Sequence, residues 1–158
     1  MATIANLTKS GNVTSNQAFK GFPEGQMFVR KATITTGTLV VNDVIQALNV
    51  YAGESLHAVR IKSTDIDTHG SPAIVLDVGY GNSTTATAST SDDLIDGSTI
   101  GQGAGSAIAS VFSSDDDAGT SFANGALDFS SDDTIDVHVQ VAPATTAAGT
   151  ITVWGYFT

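Results

Sequence analysis

Cysteine is absent from this 158-residue chain, which excludes a disulfide scaffold, a thiolate nucleophile and a cysteine zinc site. Basic residues are few and stop early: six Lys and Arg stand against sixteen Asp and Glu, and none follows Lys62. A chain with a formal net charge of −10 repels phosphate backbones, and six scattered cations make no nucleic-acid groove. No apolar run approaches the roughly 18–20 residues of a membrane helix. The N-terminal stretch MATIANLTKSGNVTSNQ lacks the charged-then-apolar layout of a secretory signal, so no membrane association is expected. Glu and Lys, both good helix formers, number only two and four. In their place the chain is crowded with Thr, Ala, Ser and Gly. Hydrophobic residues still reach 41%, enough to bury a core in one domain or one domain plus a tail. That mixture suits strands and turns.

The charges are unevenly placed. Lys9, Lys20, Arg30, Lys31, Arg60 and Lys62 all precede residue 63, where only Glu24, Asp43 and Glu54 oppose them, a balance of +3. Residues 63–158 hold thirteen Asp and no cation, a balance of −13. Asp favours turns, so the simple reading is a set of solvated loop ends. The sharper reading is an orientation signal, with the basic part facing an acidic partner and the acidic remainder facing solvent.

Residues 1–27 are polar and without sustained periodicity, which predicts an extended N-terminal arm holding at most one short strand. From Phe28 the pattern turns β-branched and alternating, so residues 28–158 are predicted as one β domain. Strands are expected at 28–36, 43–51, 55–62 and 73–80, with Ala52-Gly53 as a turn and Pro72 just ahead of the fourth. Val41, Val44, Ile45 and Leu48 also fit the helical spacing i, i+3, i+4, i+7, but β-branched content favours a strand there. In 55–62, His57, Val59 and Ile61 share one side. Residues 81–106 (GNSTTATASTSDDLIDGSTIGQGAGS) have little apolar content and read as a long loop, with Ser91 placed to cap a helical turn at 92–95. Strands resume at 107–112 and 126–129. In 134–141, Ile135, Val137, Val139 and Val141 share one face and Asp136, His138 and Gln140 the other; 150–157 (TITVWGYF) follows the small-residue turn APATTAAG. Two such runs around a turn predict an antiparallel hairpin. About eight strands with regular turn signals predict an all-β, jelly-roll-like antiparallel sandwich.

Candidate chemistry is thin. His57, His69 and His138 are the three histidines, and no G-x-S-x-G elbow accompanies them. Asp65-Ile66-Asp67-Thr68-His69-Gly70 resembles the start of a calcium loop, but its fifth place is His and its twelfth is Leu76, where a bidentate Glu is needed. Asp115-Asp116-Asp117 is a run of adjacent carboxylates. Solvated acidic turns are the ordinary explanation of Asp65, Asp67, Asp115, Asp116 and Asp117, a weak calcium site the alternative. Gly101-Gln102-Gly103-Ala104-Gly105 lacks the third glycine of a dinucleotide loop and joins no strand to a helix. No cofactor is therefore expected. Trp154 and Tyr156 share the face of the last strand opposite Ile151, Val153, Gly155 and Phe157, which places them at a self-association surface or, alternatively, on a sugar-stacking face. Three N-x-[ST] sites (Asn6, Asn12 and Asn82) mean little without a secretory signal.

The run at 74–82 (IVLDVGYGN), followed by an Asp/Gly/Ser-rich loop, and the closing stretch 132–157 (DDTIDVHVQVAPATTAAGTITVWGYF) together resemble the head decoration, or cement, proteins of tailed bacteriophages. The resemblance covers roughly residues 40–158. It implies a jelly-roll or sandwich domain on the outer capsid surface, with no catalytic residues, made in the host cytoplasm. On that reading the partner is the major capsid protein, contacted by the arm and by Lys9, Lys20, Arg30 and Lys31. The β domain would associate with copies of itself, a trimer ahead of a dimer. The rival is a carbohydrate-binding or host-adhesion module using Trp154, Tyr156 and the 81–106 loop.

Overall fold

A computed structural model describes residues 3–4, 27–81, 92–110 and 125–158. Among them run ten strands: β1 (Thr3–Ile4), β2 (Phe28–Thr36), β3 (Val44–Val50), β4 (Ser55–Ser63), β5 (Val75–Tyr80), β6 (Ile95–Ser98), β7 (Gly105–Ser110), β8 (Leu127–Asp128), β9 (Asp133–Val141) and β10 (Gly149–Phe157). One sheet has the order β1-β3-β9-β5-β6; the other has the order β2-β10-β4-β7, with β8 also on β4. Every pairing is antiparallel except that of β1 with β3. With the two-residue strands β1 and β8 set aside and the other eight numbered along the chain, the sheets read 1-8-3-6 and 2-7-4-5. This is the jelly-roll winding, in which the chain crosses between sheets at most connections. The all-β sandwich predicted from strand spacing is the fold.

Alternation does most of the work of placing the core. β10 buries Ile151, Val153, Gly155 and Phe157 and leaves Thr152, Trp154 and Tyr156 half-buried on the other face. From the facing sheet come Ile45, Leu48, Leu76, Val78, Ile135, Val137 and Val139, each at most 1% exposed. Each such side chain contributes about 1.5–3 kcal/mol by leaving water.

Gly155 packs closely against the core. A Cβ built there would lie 2.5 Å from Phe157 Cε2 and 3.1 Å from Leu48 Cδ1. The missing side chain is the space into which the Phe157 ring folds. Gly155→Ala is expected to cost about 1–3 kcal/mol by overpacking, read as a lower urea midpoint with unchanged slope.

Three expectations are corrected. The segments 134–141 and 150–157 do not form a hairpin. β9 lies between β3 and β5, and β10 lies between β2 and β4 in the opposite sheet. The connection crosses the sandwich and is pinned on the way, with Ala147 N–H donating to Ile66 O at 3.1 Å and the N–H groups of Ala144 and Thr145 donating to Asp67. Second, His57 does not share a face with Val59 and Ile61. The register of β4 against β10 shifts so that Ala58 faces Tyr156 and Leu56 faces Phe157, leaving His57 as the extra residue of a bulge. Leu56 is buried instead. Third, no helical turn forms at 92–95 in the described residues 92–95. Leu94 and Ile95 drop into the core, and β6 starts at Ile95. The face of β9 opposite Ile135 is covered as well: Asp136 and His138 are both buried, and only Gln140 emerges.

Candidate functional site

The four strands β2, β10, β4 and β7 contain no Asp or Glu at all. Period 2 sends Lys31 outward from β2, Trp154 from β10 and Arg60 from β4, and the register makes them direct neighbours in one row, with Ile108 of β7 beside Arg60. Lys31 Nζ stands 5.5 Å and Arg60 Cζ 5.4 Å from the centre of the Trp154 ring. Cation–π attraction of about 0.5–1 kcal/mol per pair holds the three in place. The next row carries Thr33, Thr152 and Lys62, with the two threonine hydroxyls 3.2 Å apart. Val29 and Tyr156 extend the apolar part of the face on the other side. Lys31, Arg60 and Lys62 are exposed, so all exposed cations among the described residues project from this one face.

The structure divides the residues predicted to meet a capsid partner. Lys9 and Lys20 lie outside the described residues, as do residues 5–26 of the expected arm. Lys31 is on the basic face. Arg30 points the other way, inward, and is 2% exposed. Its guanidinium pairs with both carboxylate oxygens of Glu54 and donates from Nη1 to Asn49 O at 3.2 Å. Its Cζ lies 4.9–5.0 Å from the ring centres of Phe28, Tyr51 and Phe157. Arg30 is therefore a rim of the core, and the strand alternation that puts Phe28, Arg30, Ala32 and Ile34 on one side carried that information. Arg60 and Lys62, which sequence reasoning left out of the partner set, were legible in the same way, as the residues alternating with Val59 and Ile61.

Trp154 and Tyr156 are brought together with Lys31, so the basic and the aromatic surfaces expected separately are one surface. A sugar ring stacking on Trp154 would have to displace cations that flank it from both neighbouring strands.

The calcium-loop aspartates have other duties. Asp67 is buried, and its carboxylate accepts N–H bonds from Ala73 (2.7 Å), Ile74 (3.1 Å), Ala144 (2.9 Å) and Thr145 (2.9 Å). Burial alone would raise its pKa, but these four backbone donors outweigh that and hold it well below the usual carboxylate range. Oxygens surrounded by N–H donors present no lone pairs to a cation. Asp65 Oδ1 accepts from Asp67 N–H at 3.2 Å, closing the turn. Asp115, Asp116 and Asp117 lie outside the described residues. Among the described residues no three His, Asp or Glu are grouped to hold a metal ion.

The histidines are not brought together. His57 bonds Thr158 Oγ1 through Nε2 at 3.0 Å, and exposed His69 accepts at Nδ1 from Ser71 N–H at 3.1 Å. His138 faces away from the core on β9, beside Asp77 of β5. Both of its ring nitrogens are buried without a hydrogen-bond partner, so no described serine is activated by it. Burial pushes its pKa down to about 4, against the pull of Asp92. Burial pushes Asp77 up to about 6 despite the Gly97 N–H bond, and nearby Asp96 and Asp92 add to the rise. Gly101 and Gly105 serve packing, since a Cβ at Gly101 would lie 3.0–3.1 Å from Ile66 and Ile74 and one at Gly105 3.3–3.4 Å from Ile100, whereas Gly103 stands in open space.

Two solved structures share this architecture. A chain in the capsid of Ralstonia phage GP4 superposes with a TM-score of 0.69 at 23% identity, over 87% of this chain and 88% of that one. A chain of the cyanophage Pam1 capsid asymmetric unit gives 0.65 at 23% identity, over 90% and 94%. The fold is that of these capsid chains. Because the covered shares are nearly equal in each pair, the matched chains are close to this one in length. The sequence matches no family model and no curated protein.

Proposed function

We propose that this chain is a non-enzymatic decoration protein of a phage capsid, seated on the outer surface of the shell and bound to major capsid subunits whose contacts it stabilises. The observation that carries the reading is the likeness over 87–90% of the chain, at TM-scores of 0.69 and 0.65, to capsid chains of about the same size. A chain of 158 residues wound as a single sandwich suits an added layer of small modules, each bridging neighbours. Many copies on one lattice stabilise it by avidity even where each contact is weak. Copies associate through the β domain as a trimer ahead of a dimer, since closed symmetric oligomers match the local axes of a shell. The arm, residues 1–27, contributes to shell binding.

The test is co-sedimentation of the purified chain with empty shells of the encoding phage that lack it. The expected result is saturable binding and a raised melting temperature of the shells, with a trimer mass by light scattering. A variant without residues 1–27 should keep its β circular-dichroism spectrum and bind shells more weakly. Absence of binding by the full chain would overturn the reading.

A further inference from the structure

We propose that the outer face of the β2-β10-β4-β7 sheet, centred on Trp154 between Lys31 and Arg60, is the face that docks on the shell, and that its counterpart there is an acidic protein surface. This rests on the decoration reading and adds to it the orientation of the molecule. Three observations support it. The face concentrates Lys31, Arg60 and Lys62 on strands that carry no acid, in a chain of net charge −10. The same face holds Trp154 and Tyr156 half-buried, with Val29 exposed. Aromatic residues among cations are the composition of an interface anchor rather than of a solvated sheet, and the one acid of this sheet among the described residues, Asp128 of β8, is bonded to Ser55 at the start of β4 rather than beside Trp154. Finally, the complement is not found on the chain itself among the described residues. Asp77 and Asp136, the aspartates of the opposite sheet nearest to forming a planar acidic row, are buried. The exposed aspartates Asp65, Asp96, Asp128 and Asp132 are scattered over separate turns and edges.

A second copy laid face to face would set Lys31, Arg60 and Lys62 against themselves, which like-charge repulsion opposes. An acidic surface of another protein is instead drawn in by all three cations and then sealed by the aromatic centre, where water is excluded and the charges act more strongly.

The experiment compares the full-length chain with three variants on empty shells of the encoding phage. In Lys31→Glu/Arg60→Glu/Lys62→Glu the charge is reversed; in Lys31→Gln/Arg60→Gln/Lys62→Gln it is removed; in Trp154→Ala the anchor is cut. The reversal is expected to weaken shell binding about 100-fold, and neutralisation and Trp154→Ala about 10-fold each. Unmodified protein should bind less tightly as salt rises from low to high. All of these side chains project outward, so circular dichroism should be retained and the melting temperature should fall by only a few degrees as the cation–π pairs with Trp154 are lost; the glutamine variant carries the test should the reversal disturb folding. Failure of the unmodified chain to bind would sink the decoration reading. Tight binding by it and equally tight binding by the charge variants would sink only the face. A change in oligomer mass on reversal would make a second copy the occupant and overturn the proposal, as would glycan binding lost in Trp154→Ala with shell binding intact.

Discussion

Replacing Glu54 with Gln is expected to destabilise the protein by about 3–5 kcal/mol, because it leaves the buried Arg30 charge without its counter-ion. The guanidinium is walled by Phe28, Tyr51 and Phe157 and is 2% exposed as a residue, so water cannot substitute for the lost carboxylate. Glu54 also accepts the N–H of Tyr51 at 2.9 Å, which fixes the turn between β3 and β4 around Gly53. The measurement is equilibrium urea unfolding, with a fall in melting temperature of roughly 10 °C or more for a chain of this size. The double replacement Arg30→Met/Glu54→Leu should recover most of the loss, since an apolar pair of similar volume needs no desolvation of charge. Equal losses in the single and double variants would show that the packing of the site, rather than the ion pair, is what matters.

Asp77 and His138 should make opposing contributions to stability across the same pH range. The folded state holds a proton on Asp77 up to about pH 6, whereas the unfolded chain releases it near 4, so this group loses stability as pH rises from about 4 to 6. His138 has the reverse sign. Its folded pKa of about 4 lies below the ordinary 6.5, so the unfolded chain takes up a proton that the folded chain refuses, and stability is gained as pH rises from about 4 to 6.5. Each slope amounts to on the order of 1–2 kcal/mol over the window once solvent screening is allowed for. The unmodified protein should therefore be nearly level between pH 4 and 6.5. His138→Gln should uncover the falling limb and Asp77→Asn the rising one, read as urea midpoints at pH 4, 5, 6 and 7. Parallel profiles for the two variants would disprove the opposition. Asp67, whose pKa is held low by backbone donors, acts below this window, where its protonation on acidification removes stability.

Much of this was readable in advance. Strand alternation in β2 and β10 was clean enough to sort inward from outward residues, and the count of about eight strands led to the right architecture. The misplaced His57 and the helix-like spacing within β3 share one cause. A bulge inserts one residue and shifts the parity of everything after it. In β3 the register slips between Gln46 and Leu48, so Ile45 and Leu48 are both buried three residues apart, a spacing that imitates a helix. In β4 the same slip at His57 moved the core face onto Leu56.

The amino-acid order alone decided the local matters: where most strands lie, which side of most strands is apolar, and that cations cease after Lys62. These follow from backbone stereochemistry and from period-2 burial, both of which act within a few residues. Which strands pair was a different matter. β9 and β10 adjoin in sequence and lie in opposite sheets, β2 and β10 pair from the two ends of the described domain, and it is this pairing that sets Lys31 beside Trp154 and Arg60 while turning Arg30 into the core. Contacts between residues a hundred apart are selected by the packing of the whole sandwich, where burial of two apolar faces outweighs any preference of a local turn, and only the tertiary structure records that choice.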